Sequence, residues 1–182
     1  EEERKSGMPE EFIQQEYYCS FNSPLAGAYW GHALDAIARA GQITKVEPQR
    51  ELPVYTAWDI GWRDDVAIWF YQPTFLGVRI VDFYSNYGKD IPHYADVIRN
   101  KPYNYATHWL PHDAKAETLA AGGRSVIEQL ANLIGMDKCR IVPRQDPEDG
   151  IQAARAIIPR CWFDETKCAE GLKSLHAYQR EF

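Results

Sequence analysis

The chain has 182 residues, and its 20 Lys and Arg against 26 Asp and Glu give a formal net charge of −6 at pH 7. With 45% hydrophobic and 25% charged residues it is too apolar for intrinsic disorder. The longest apolar run, residues 66–71, is far short of the roughly 20 residues that a membrane helix needs. No basic and apolar leader opens the chain, so no secretion signal is predicted.

The four cysteines contain no CxxC pair or other zinc spacing, which predicts buried free thiols; they are Cys19, Cys139, Cys161 and Cys168. The acidic balance argues against a simple nucleic-acid binder, since phosphate contacts use clustered Lys and Arg. It does not exclude a DNA enzyme, because a site that holds metal ions is itself acidic.

The first 50 residues are predicted to form helices and a connector. Pro9 opens a short helix that reaches about Tyr18, and a second helix over residues 27–40 is indicated by apolar side chains at helical spacing. Residues 42–53 contain two prolines and are predicted to connect these helices to the main fold. We therefore expect a linking segment at 1–50 and one main domain at 51–182.

The main domain opens with three strands in succession. The patterns predict strands at Val54–Trp58, Val66–Tyr71 and Val78–Tyr84, joined by short connections as an antiparallel meander. A helix follows over about Pro92–Arg99, and Tyr105–Leu110 is predicted as a fourth strand that ends at a proline.

The second half alternates between helices and strands. Ser125 and Glu128 form a capping box before an apolar helical pattern that closes at Gly135. A short strand at 140–142 precedes a helix capped by Asp146, and a last helix is predicted from about Asp164. Three strands followed by alternation predict an α/β fold, a mixed sheet of about five main strands with helices on both faces. This order matches the ribonuclease H-like fold.

Carboxylates follow two of the predicted strands. Asp59 comes after the first strand, Asp113 after the fourth, and the Asp64–Asp65 pair lies just beyond the first turn. If the first and fourth strands are adjacent and parallel, Asp59 and Asp113 emerge at the same edge of the sheet. Two such carboxylates repel each other unless a cation lies between them, and hard oxygen ligands favour Mg²⁺ or Mn²⁺. The alternative is that each aspartate caps a turn at the end of its strand.

Six stretches of the chain resemble, in order, the nuclease domain of tailed-bacteriophage terminase large subunits. They are FIQQEYYCSFNSPLAGAYWG (12–31), VYTAWDIGWRDDVAIWFYQ (54–72), VRIVDFYSN (78–86), HWLPHDA (108–114), GRSVIEQL (123–130) and CWFDETKCAEGLKSLHAY (161–178). Large terminases couple a packaging ATPase to an endonuclease that cuts concatemeric viral DNA. The resemblance covers nearly the whole chain and implies a ribonuclease H-like nuclease.

The resemblance assigns roles to individual acids. Asp59 matches the family's first metal-binding aspartate, Asp113 matches the second, and Asp65 resembles an auxiliary acid that some members carry. These residues would hold Mg²⁺ or Mn²⁺, in a two-metal site in the complete domain. Asp82 lies in the family's third-strand motif, and we expect it to face the same side as Val78 and Ile80 in a hydrogen-bonded structural role.

The chain departs from the family pattern at its end. Members carry a third essential aspartate on a late helix, and no matching string occurs here; Asp164, Glu165 and Glu170 match positions on the preceding helix. We expect the chain to be a fragment whose carboxyl end is truncated. A Walker A pattern is also absent, so no ATP-binding residue is predicted, and the resemblance places the ATPase domain before residue 1.

Other residues near Asp113 are candidates for contact with DNA. Lys115 and Arg124 could bind backbone phosphates, Arg124 at the start of a helix. His112 could contact the substrate, or be simply structural. His108 and His112 are four residues apart, which suits zinc on a helix, but Pro111 and the strand pattern argue against that site.

The sequence thus predicts a metal-dependent endonuclease domain that cuts double-stranded viral DNA during genome packaging. The alternative is a non-catalytic module that grips DNA or docks the motor onto the portal. The resemblance implies double-stranded DNA, the portal protein, the small terminase subunit and the chain's own ATPase domain as partners, with no membrane partner. It implies the host cytoplasm, on the assembling procapsid, as the location.

Overall fold

A computed structural model describes residues 28–61, 66–118 and 123–178 of the chain. Nine strands are present in these ranges: β1 (Ile43–Thr44), β2 (Val54–Ile60), β3 (Val66–Thr74), β4 (Gly77–Asn86), β5 (Tyr105–Leu110), β6 (Glu117–Thr118), β7 (Arg124–Ser125), β8 (Cys139–Ile141) and β9 (Cys161–Asp164).

The same ranges contain five α-helices. These are α1 (Gly31–Arg39), α2 (Ile91–Asn100), α3 (Val126–Ile134), α4 (Pro147–Ile157) and α5 (Ala169–Ala177), with 3₁₀ turns at His112–Lys115 and Ile158–Arg160. The predicted capping box is confirmed, since Ser125 Oγ accepts from Glu128 N and Glu128 Oε2 accepts from Ser125 N. The predicted Asp146 cap is also confirmed, because its side chain accepts from Glu148 N.

Seven strands form one mixed sheet in the order β1-β9-β4-β3-β2-β5-β8. β3 is antiparallel to both of its neighbours, whereas the other pairings in this sheet are parallel. The carboxyl ends of β2, β4 and β5 therefore lie at the same edge of the sheet. The remaining two strands, β6 and β7, pair as a small antiparallel ribbon.

Helices cover both faces of the sheet, as predicted. On one face, side chains of α2 and α3 pack with the sheet in a core that includes Tyr94, Ile98 and Leu130. On the other face, Leu34 of α1 and Leu172 of α5 pack in a second core. We call these the α2/α3 face and the α1/α5 face.

The predicted last helix begins later than expected, and two short strands of the seven-stranded sheet were missed, as were the two strands of the small ribbon. Cys161–Asp164 is β9, which pairs with β4, and Ile43–Thr44 of the predicted connector is β1, which pairs with β9. Asp164 ends the strand because its carboxylate accepts from Val46 N, Thr166 N and Lys167 N. These hydrogen bonds form a turn, so the helix starts only at Ala169.

Three other expectations can be placed against this fold. Cys139, Cys161 and Cys168 are buried free thiols, as predicted, while Cys19 lies outside the described residues. The helix expected from Pro9 to Tyr18 also lies outside them. Among the described residues, no helix combines the length and the apolar character needed to cross a membrane.

Candidate metal and nucleic-acid site

Asp59 and Asp113 follow adjacent parallel strands. Thr56 pairs with His108 and Ala57 with Trp109, so β2 and β5 run side by side in the same direction. Asp59 lies two positions after the last residue of β2 that pairs with β5, and Asp113 lies in the 3₁₀ turn that follows β5. Both residues are exposed. The structure thus brings the chain segments of the two predicted acids to one edge of the sheet, which we call the acidic edge.

The strand register also fixes the face of the sheet on which Asp59 lies. Asp59 pairs with Ala67 of β3, and Ala67 pairs with Ser85 of β4. Directly paired residues of antiparallel strands project to the same face, and Ala67 packs against the core of the α1/α5 face. Asp59, Ala67 and Ser85 therefore form one row on that face, with Cα atoms of neighbouring strands about 5 Å apart.

A carboxylate that the sequence analysis set aside lies at the other end of this row, beside Ser85. Ser85 Oγ donates a hydrogen bond to Glu170 Oε1 at 3.1 Å. Glu170 is in the first turn of α5, and the next residue, Gly171, lies so close to the sheet that an added Cβ would be 2.7 Å from Phe83 Cδ2. The absence of a side chain at position 171 lets α5 approach closely enough for Glu170 to reach the row of Asp59. Residue spacing could not show this, because it depends on helix packing.

The three predicted DNA contacts lie in the segments that follow β5. His112 and Lys115 are exposed in the 3₁₀ turn next to Asp113. Arg124 is exposed in β7, where it pairs with Thr118 just beyond that turn. At the amino-terminal end of α3 the capping box satisfies the backbone N–H groups of Ser125 and Glu128, and its hydrogen bonds to Ser125 lower the pKa of the Glu128 carboxyl.

The predicted auxiliary acid, Asp65, lies outside the described residues. Within the described ranges, no group of three His, Cys, Asp or Glu side chains is close enough to hold a metal ion. The acidic edge nevertheless offers carboxylate oxygens without thiol ligands. Mg²⁺ suits such an edge because it keeps several waters and is commonly bound through one or two carboxylates.

Asp82 makes the predicted hydrogen bonds, but from the opposite face to the one expected. Phe70 pairs with Asp82 while Tyr71 pairs with Ile80, so a bulge at Val81 reverses the alternation. The buried Asp82 carboxylate accepts from Lys101 Nζ and, at 2.9 Å, from the Tyr103 hydroxyl. Bulges change which face a residue occupies and are not visible in a simple alternating pattern.

His108 and His112, the two histidines four residues apart, occupy different environments. His108 is 1% exposed on β5, and its Nδ1 lies 2.8 Å from Thr56 Oγ1, which also accepts from Trp58 Nε1. Burial, together with the charge of Lys138, lowers the pKa of His108 to about 4. His108 is therefore a neutral core residue at pH 7, whereas His112 is exposed.

The antiparallel β4-β3-β2 meander, continued by parallel β5 and β8 and covered by helices on both faces, defines a ribonuclease H-like fold. Solved structures with this fold include nuclease domains of phage large terminases. The P22 large terminase nuclease domain is 16% identical with a TM-score of 0.57, covering 78% of this chain and 76% of that one. The large terminase nuclease from thermophilic phage G20c, solved with bound magnesium, is 11% identical with a TM-score of 0.59, covering 86% and 82%.

One of the matching structures belongs to a protein that is much longer than this chain. The large terminase from a different thermophilic bacteriophage is 14% identical with a TM-score of 0.58, and the match covers 84% of this chain. The chain spans 38% of the length of that protein. No family model matches the sequence, and no curated protein matches it either. The structural likeness therefore confirms the resemblance seen in the sequence at the level of the fold.

Proposed function

We propose that the chain is a metal-dependent endonuclease domain of a phage terminase large subunit, which cuts double-stranded viral DNA during packaging. The observation that carries the proposal is the parallel pairing of β2 with β5, which brings the segments bearing Asp59 and Asp113 to one edge. The fold shared with terminase nuclease domains supports it, and the G20c nuclease was solved with bound magnesium and with bound cobalt.

In this proposal Asp59 and Asp113 hold Mg²⁺ or Mn²⁺, and Asp65 assists directly or through water. The ions would activate a water molecule and stabilise the leaving oxygen of a phosphodiester. Lys115 and Arg124 would bind phosphates of the DNA backbone beside the acidic edge, and His112 would contact the substrate. The partners that follow are the ATPase domain, the small terminase subunit and the portal protein, at the procapsid in the host cytoplasm.

The test is the nicking and linearisation of plasmid DNA in Mn²⁺, Mg²⁺ and EDTA. Removing a metal-binding carboxylate removes the ion, so Asp59→Asn and Asp113→Asn are each expected to lower the cleavage rate by at least about a hundredfold. Asp149→Asn is the matched control, since Asp149 is an exposed aspartate in α4.

This experiment distinguishes the endonuclease from the non-catalytic DNA-gripping module. Metal-dependent cleavage that both site variants lose would support the endonuclease. Cleavage that persists in EDTA or in both variants would contradict the assignment of the acids. DNA binding without cleavage, unchanged in Asp59→Asn, would instead favour the DNA-gripping module.

A further inference from the structure

A cavity of about 270 Å³ lies at the opposite edge of the sheet from Asp59. It opens between the carboxyl ends of α2 and α3 and the beginning of β5. Ile98, Leu133 and Ile134 supply its apolar wall. The polar wall consists of three basic and three aromatic side chains: Arg99, Lys101, Lys138, Tyr103, Tyr105 and His108.

The basic side chains differ in how far their charge is already neutralised. Arg99 pairs with Asp96 and donates to Leu133 O at the end of α3, and Lys101 pairs with Asp82. Lys138 makes no ion pair with any residue that the structure describes. The cavity wall therefore carries a cation that no described carboxylate neutralises, and the lowered pKa of His108 has this charge as its second cause after burial.

A hydrogen-bond donor in the wall also lacks a partner. The Tyr105 hydroxyl oxygen is buried and finds no hydrogen-bond partner among the described residues. Burial and the nearby Asp82 raise the pKa of Tyr105, so the hydroxyl remains protonated and can donate. Buried polar groups are nearly always satisfied, and an unsatisfied one calls for water or a bound molecule.

We propose that this cavity binds a phosphate group, either as inorganic phosphate or as a phosphate monoester. The Lys138 ammonium and the Tyr105 hydroxyl would donate hydrogen bonds to its oxygens, and the unused N–H groups of Arg99 and Lys101 would add to the positive potential. A water molecule could satisfy the hydroxyl, but an anion also neutralises the charge of Lys138. The site lies away from the acidic edge, so the inference does not depend on nuclease activity.

The experiment is a titration of the whole chain, followed by the NMR signals of the Tyr105 and His108 rings. The probes are inorganic phosphate, thymidine 5′-monophosphate, and thymidine as the probe without phosphate. Phosphate and the monoester are expected to give saturable shifts, and thymidine none. Tighter binding of the monoester would identify an ester as the natural ligand, while equal or tighter binding of inorganic phosphate would identify the free ion.

Two variants locate the binding at this cavity. Lys138→Gln is expected to weaken binding about tenfold and Tyr105→Phe about fivefold, because each removes one donor. Lys173→Gln, at an exposed position of α5, should bind phosphate with the same affinity as the unmodified chain. Tyr105→Phe should not lower the melting temperature, since no hydrogen bond within the described protein is lost.

Three results would overturn the inference. One is the absence of a saturable shift up to about 50 mM phosphate, well above a millimolar Kd. Another is binding that neither Lys138→Gln nor Tyr105→Phe weakens, which would place the phosphate elsewhere. The third is equal binding of thymidine and its monophosphate, which would show that the phosphate group contributes nothing.

Discussion

His108 is expected to make the stability of the fold depend on pH. Its pKa is about 4 in the folded chain against about 6.5 in an unfolded one. Between these values the unfolded chain binds more protons, so stability is complete above pH 6.5 and falls as the pH decreases toward 4. From pH 7.5 to pH 5 the loss through this residue should be about 2 kcal/mol.

Urea unfolding at pH 7.5, 6.5 and 5 measures this loss. His108→Gln removes the titrating group, so the free energy of unfolding should depend less on pH, even if the substitution lowers stability at every pH. His112→Gln, at an exposed histidine, is the matched control for removing an imidazole. An identical pH dependence in His108→Gln and in the unmodified chain would show that other groups cause it.

At the scale of single elements, Gly150 of α4 and Gly171 of α5 should respond to alanine in opposite ways. A Cβ at Gly171 would lie 2.7 Å from Trp69 Cζ2 and from Phe83 Cδ2, whereas one at Gly150 would meet nothing within 4 Å. Gly171→Ala must therefore displace α5 or the two rings. This displacement should lower the free energy of unfolding by about 2 kcal/mol. Gly150→Ala should gain about 0.5–1 kcal/mol from helix propensity.

Chemical denaturation measures the free energy of unfolding of both variants and of the unmodified chain. The displacement of α5 should also weaken the contact between Ser85 and Glu170, since Glu170 adjoins the substituted residue. If Gly171→Ala were as stable as Gly150→Ala, the close packing of α5 on β3 and β4 would be wrong.

At the scale of the whole molecule, a bound ion should join two segments that are distant in sequence. A ligand that binds only the folded chain raises its stability, by about 1.4 kcal/mol at a concentration about ten times its Kd. For a domain of this size the melting temperature should rise by about 3–6 °C in Mg²⁺. The rise should be lost in Asp59→Asn and in Asp113→Asn and kept in Asp149→Asn.

Differential scanning fluorimetry with Mg²⁺, and with EDTA as the reference, measures these shifts independently of cleavage. The comparison uses the change within each variant, so a variant of altered stability still gives an answer. A rise of equal size in Asp59→Asn and in the unmodified chain would place the ion away from the acidic edge.

The sequence by itself determined the elements whose signals are local. The capping box at Ser125, the Asp146 cap and strand β5 all lie where adjacent residues predicted them. The meander and the predicted order of alternation were sufficient for the fold class, because hydrophobic periodicity reflects which faces each element buries. Asp59 and Asp113 could be chosen as candidate metal ligands because each follows a predicted strand. Neighbouring strands that are parallel end at the same edge of the sheet.

Tertiary structure decided whatever depends on contacts between distant segments. The pairing of β1 with β9, two strands of only two and four residues, could not be read from their own residues. The bulge at Val81 moved Asp82 to the other face, and close packing at Gly171 brought Glu170 to the row of Asp59. The cavity of Lys138 and Tyr105 likewise exists only where the ends of two helices meet the start of a strand. Local sequence patterns encode burial and hydrogen bonding within one segment of the chain. These arrangements depend instead on packing between two distant segments, and the sequence of either segment alone does not specify its partner.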